Sequence, residues 1–224
     1  MKQTILLVAV VAGIFLFWHH IALYPLKLLV VFFHEASHAL MTVATGGKVT
    51  ELVVNRNQGG HVISLGGSRF WVLSAGYLGS LVWGTVIYLV AARTRWDQTA
   101  MTVLGALIIA IALFFVRNLF GFGFAAVTGA AMIALGWWAS ERVNDFILKL
   151  IGLTSMVYVP LDIYSDTISR SHLRSDAHML AAEIGGTTVM WGGLWIILSA
   201  GIILFSLRWG LRTPPAGGDD GRDP

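Results

Sequence analysis

Residues 21–45 read IALYPLKLLVVFFHEASHALMTVAT, an apolar run of membrane-crossing length that holds His34, Glu35 and His38 within it. On a helix, residues four apart share a face, so the two imidazoles point the same way and can grip one metal ion. Glu35 stands beside the first of them, well placed to take a proton from a water that such an ion activates. Ionisable groups at the centre of a bilayer cost on the order of 2–3 kcal/mol each. A cluster of them in one span therefore implies a compensating function, and a metal site supplies one.

Composition sets the class around this run. The chain is 56% hydrophobic and only 12% charged over 224 residues, with nine tryptophans. A soluble domain does not combine so few charges with so much apolar surface. Cysteine is absent, which excludes disulfides and thiolate ligands and leaves His, Asp and Glu for any metal. The net charge of +3 is spread over short loops, without the basic block that nucleic acid would need. The expected fold class is an all-α polytopic membrane protein.

Working outward, spans are expected at about 4–18, 22–45, 70–92, 99–116, 120–139, 146–164 and 187–207. The first follows Lys2 like a secretory signal, but it ends in Phe17-Trp18-His19-His20 and not in small residues, so it reads as an anchor. Only Arg117 and Asn118 separate the fourth and fifth, which predicts a tight helical hairpin or one broken element. Residues 46–69 predict a β-hairpin: Val49 to Val54, a turn at Asn55-Arg56-Asn57-Gln58-Gly59-Gly60, then His61 to Leu65. Residues 165–186 read as a polar loop with Asp166, Arg170, His172, Arg174, Asp176, His178 and Glu183. Residues 1–212 are expected to form one integral-membrane domain, with a disordered tail at 213–224. Basic residues divide evenly between the two sides, so the positive-inside rule leaves the orientation open.

A catalytic zinc takes three protein ligands and keeps one position open. His34 and His38 supply two, and Asp162 is the expected third, in Tyr158-Val159-Pro160-Leu161-Asp162 near the end of the sixth span. The proline loosens that helix, and the second and sixth spans run in the same direction. Asp166 is an alternative ligand or a supporting group, and Asp176 and His178 lie on the same side as further alternatives. His19, His20 and His61 read as interfacial or loop groups. Gly76, Ser80 and Gly84 read as a small-residue seam that brings the third span close to the metal helix, and Arg117 as a cation reaching from a helix end.

His34-Glu35-Ala36-Ser37-His38 in an early span, a glycine-rich hairpin after it, and Ser74-Ala75-Gly76-Tyr77-Leu78-Gly79-Ser80 in the next span resemble the site-2 protease family of intramembrane zinc metallopeptidases. The compact bacterial B-like branch, without PDZ or CBS domains, is the most similar. The resemblance runs from about Tyr24 to Trp209 and takes in Ser175-Asp176-Ala177-His178-Met179-Leu180 and Trp191. It implies zinc held by His34, His38 and Asp162, with Glu35 as catalytic base. The family's aspartate sits in a Leu-Asp-Gly motif, whereas Leu161-Asp162 is followed here by Ile163. The resemblance further implies a multi-pass protein of the bacterial inner membrane, with the hairpin and the 165–186 loop cytoplasmic, and a membrane-spanning protein as substrate.

The reaction so implied is peptide hydrolysis, in which Glu35 takes a proton from the attacking water and returns it to the leaving amine. A substrate helix must unwind to be cut, and pairing its extended segment with the hairpin edge would offset the lost hydrogen bonds. The alternative is a non-proteolytic metal-binding membrane protein, a regulator or transporter that retains the fold. Replacement of Glu35 separates the two.

Overall fold

Pro25 falls in the first turn of helix α2 (Tyr24–Ala44), where its missing N–H leaves no intrahelical bond unmade. The computed structural model describes residues 2–170 and 174–211. Before α2 come α1 (Lys2–Leu16) and a single 3₁₀ turn (Ile21–Leu23), which the His20 side chain caps by accepting from the Ala22 N–H. After α2 come strands β1 (Lys48–Val54) and β2 (Gly60–Leu65), then α3 (Arg69–Arg93), α4 (Asp97–Phe115), α5 (Leu119–Trp138) and α6 (Glu141–Tyr164). A π turn (Ser165–Ser169) prolongs α6, and the chain closes with α7 (Asp176–Ile184) and α8 (Thr188–Gly210).

Among the described residues six helices are long and apolar enough to cross a membrane, and the protein is an integral, multi-pass membrane protein. The first expected span is the exception: α1 has 15 residues, short of the roughly 17 a bilayer needs. The predicted hairpin is present, antiparallel, with Val54 opposite Gly60 and a bulge between Val49 and Glu51. Within the polar segment expected as a loop at 165–186, Ser165–Ser169 and Asp176–Ile184 are helical. Part of it winds on from α6, and part folds as α7. Ala177, Leu180, Ala181 and Ile184 recur there at helical spacing, with Ser175 as the cap whose Oγ accepts from the His178 N–H. His172 and the 213–224 tail lie outside the described residues.

Two close approaches set the bundle. Gly79 faces Ser37 of α2, and Gly84 faces Ser155 and Gly152 of α6, where the Ser155 hydroxyl also donates to the Ser80 carbonyl. The small-residue seam of α3 is thus shared between two neighbours: Gly76 and Gly79 turn to the metal-signature helix and Gly84 turns away from it. α4 and α5 form the tight hairpin, with Gly105 against the Gly129 carbonyl. Arg117 closes the end of α4 by donating to the carbonyls of Phe114 and Val116.

Their linker also bounds the sheet. Val116 bridges to Leu52 in parallel, the Arg117 N–H donates to the Leu52 carbonyl, and the Asn118 side chain makes both hydrogen bonds that a strand would make to Val54, at 2.7 and 3.2 Å. One edge of the hairpin is therefore covered, while β2 lines a cavity.

Candidate metal centre

The middle of α2 is buried on nearly every side, between Phe32, Phe33, Ala36 and Ala39, and this burial carries Glu35 and His38 with it. His34 is partly open, at the wall of a cavity of about 730 Å³. A polar cavity at this depth is what hydrolysis in a membrane requires, because water has no other way in.

His38 is oriented from behind. Its Nδ1–H donates to the Val72 carbonyl of α3 at 2.7 Å, which commits the Nδ1 proton and turns the Nε2 lone pair inward. His34 packs edge-on against Tyr77, with ring centres 4.9 Å apart, and against His38 at 4.7 Å. Gly76 leaves room for both rings. A Cβ built there would overlap His34 Nε2 and stand 2.5 Å from His38 Nε2. On the opposite side β2 passes over Glu35, and a Cβ on Gly60 would lie 2.6 Å from Glu35 Oε1.

The carboxylate that meets the two imidazoles is Asp176, at the start of α7. Its Oδ2 lies 3.0 Å from His34 Nε2 and 3.1 Å from His38 Nε2. Burial opposes ionisation of Asp176, but the His38 and His34 imidazoles outweigh it and hold the carboxyl below the ordinary carboxylate range. With its Nδ1 proton already given to Val72, His38 meets the Asp176 carboxylate through Nε2, either by a proton on that nitrogen or through a metal ion that takes the proton's place. Three ligands of a tetrahedral zinc stand roughly 3.3 Å apart, so two imidazole nitrogens and one carboxylate oxygen at this spacing fit such an ion. Among the described residues, His34, His38 and Asp176 are the group whose ligand atoms come close enough to share a metal, all within 4.8 Å.

Asp162, expected at this position, lines the same cavity beside Tyr158 but is not one of that group. The first turn of α7, packed on α3 and α8, puts Asp176 in the place next to the histidines. Asp166 is engaged elsewhere, accepting from the Tyr77 hydroxyl at 2.7 Å and from Arg170 at 2.6 Å. The His178 side chain is exposed, and His61, which also lines the cavity, pairs with Glu51 at 3.4 Å. The contacts of the Val72 carbonyl, the Tyr77 ring and the Asn118 amide are not among those the sequence predicts. A backbone acceptor leaves no sequence trace, but an asparagine at a two-residue break between spans is a visible signal.

A family model described as Peptidase M50B-like matches residues 7–206. No curated protein and no solved structure matches the chain. The match covers every element that builds this centre, from the end of α1 to α8, and on that ground the chain belongs to the Peptidase M50B-like family, a branch of the site-2 protease family of membrane-embedded metallopeptidases.

Proposed function

We propose that the chain is an intramembrane zinc metalloendopeptidase, with zinc held by His34, His38 and Asp176 and with Glu35 as general base. The observation that carries this reading is the meeting of two imidazole nitrogens with the Asp176 carboxylate beside a buried Glu35. Bound there, zinc would supply Lewis acidity to a water and to the scissile carbonyl. Glu35 takes the proton of the attacking water and delivers it to the leaving nitrogen. The Val72 carbonyl keeps His38 in the tautomer with a free Nε2, and the cavity admits the water.

The substrate is a membrane-spanning or membrane-associated protein with a segment that unwinds near the site. Such a segment adds to the edge of β2, where Gly60 brings the strand against Glu35. In this reading the hairpin and α7 lie on the cytoplasmic side of a bacterial inner membrane. Ile63→Pro should then lower cleavage while zinc content stays normal, because proline removes a donor from the receiving strand.

The deciding experiment is Glu35→Gln. The amide keeps the shape of the side chain but cannot accept a proton, so zinc should remain and cleavage of single-span proteins should fall about a hundredfold or more. Unchanged hydrolysis would remove Glu35 from the role of base. If neither protein cleaves any substrate in the panel while both hold zinc, the reading passes to a non-proteolytic metal-binding regulator or transporter.

A further inference from the structure

We propose that Arg69 and Glu183 are positioning residues: their ion pair clasps α7 to the start of α3 and so keeps Asp176 against His34 and His38. The inference rests on the reading of Asp176 as a metal ligand.

α7 is a nine-residue helix, too short to persist alone in water, so its existence and its place both depend on what it packs against. Its apolar anchorage is small: Ala177 and Leu180 are fully buried, whereas His178, Glu183 and Ile184 are exposed. Ser175 caps the helix but does not dock it. Docking falls to the stripe at positions 176, 179, 180 and 183, spaced as one helical face. Asp176 reaches the histidines at one end of that stripe. At the other end, two turns or roughly 10 Å away, Glu183 receives Arg69. The guanidinium makes a fork: Nη2 to Oε1 at 2.7 Å and Nε to Oε2 at 2.9 Å, with Met179 Sδ 3.9 Å from Nη2. A two-pronged contact fixes direction as well as distance, which a lysine could not do. These hydrogen bonds hold the Glu183 carboxyl below its ordinary range.

The clasp is on the right helix. Arg69 opens α3, and the next turns of α3 provide the Val72 carbonyl behind His38 and the Gly76 gap for both imidazoles. One helix thus sets the back of the metal site and, through Arg69, the position of its third ligand. If the clasp opens, α7 samples undocked positions, and apparent metal affinity falls in proportion to the time Asp176 spends away. Both partners are substantially exposed, at 43% and 38% of their side chains, so the clasp is open to screening by salt.

The test measures zinc affinity by chelator competition, and amide exchange of residues 176–184 in the metal-free protein. It compares wild type, Arg69→Gln, Glu183→Gln, Arg69→Glu and the double reversal Arg69→Glu/Glu183→Arg. Each single variant should bind zinc three- to tenfold more weakly and exchange the α7 amides faster by a similar factor, with Arg69→Glu the worst. The double reversal should return both readouts to within about twofold of wild type, and the gap between wild type and Arg69→Gln should close in 1 M sodium nitrate. A structural defect without a clasp would not be rescued by reversal. Wild-type affinity and exchange in every variant, or a loss that persists in the double reversal, overturns the proposal alone. Absence of zinc from the wild-type chain overturns the metal-centre reading beneath it.

Discussion

Gly76→Ala is the smallest change that should destroy the metal centre. The added methyl would overlap His34 Nε2 and lie 2.5 Å from His38 Nε2, against an ordinary carbon–nitrogen contact of roughly 3.4 Å. Something must give by about 1 Å. His38 cannot turn aside without breaking its 2.7 Å bond to Val72, and α3 cannot retreat as a body while Gly79 stays packed on Ser37. Overpacking of this kind costs about 1–3 kcal/mol of stability. Its effect on the site is larger, because a zinc–nitrogen bond of about 2.0 Å does not survive a displacement of half its length. Zinc affinity should drop beyond the roughly hundredfold that loss of a supporting group produces. The assay is zinc content and chelator competition on purified protein, with Gly84→Ala as control. That second methyl would meet Ser155 Cβ at 2.6 Å, an equal crowding on the α6 side, so it should lower thermal stability and leave zinc in place. Full zinc affinity in Gly76→Ala would refute the geometry argued here.

Two further outcomes are expected. Asp176→Asn should weaken zinc binding far more than Asp162→Asn, since Asp176 alone of the two meets the histidines; the reverse order, measured by the same competition, would restore Asp162 to the site. Asn118→Ala leaves the Val54 N–H and carbonyl without their partner and should cost about 1–3 kcal/mol in thermal unfolding, with cleavage reduced and zinc retained.

The spans, the hairpin and the approach of His34 to His38 were legible because each is a local pattern: apolar length, alternation around a turn, and spacing on one helix face. The carboxylate that meets the two imidazoles is not local. The preference for Asp162 came from span direction and depth, which fix the level of a residue in the membrane but not its angular position. Two acids at the same level were then decided by α7, a helix whose apolar positions 177, 180, 181 and 184 are visible among polar neighbours but too few to outweigh them. Asn118 was hidden differently. Its amide stands in for a strand, so its meaning depends on β1 lying beside it.

The ligands also have an order in time. His34 and Asp176 are 142 positions apart, with four of the six long membrane helices between them. At a synthesis rate of ~5–20 residues per second, roughly 7–30 s separate the appearance of the first from that of the second. During that interval α2 sits in the membrane with its histidines and glutamate but without the carboxylate that completes their set. A half-made chain thus carries the two imidazoles alone, and the carboxylate reaches them only after the last quarter of the molecule has docked.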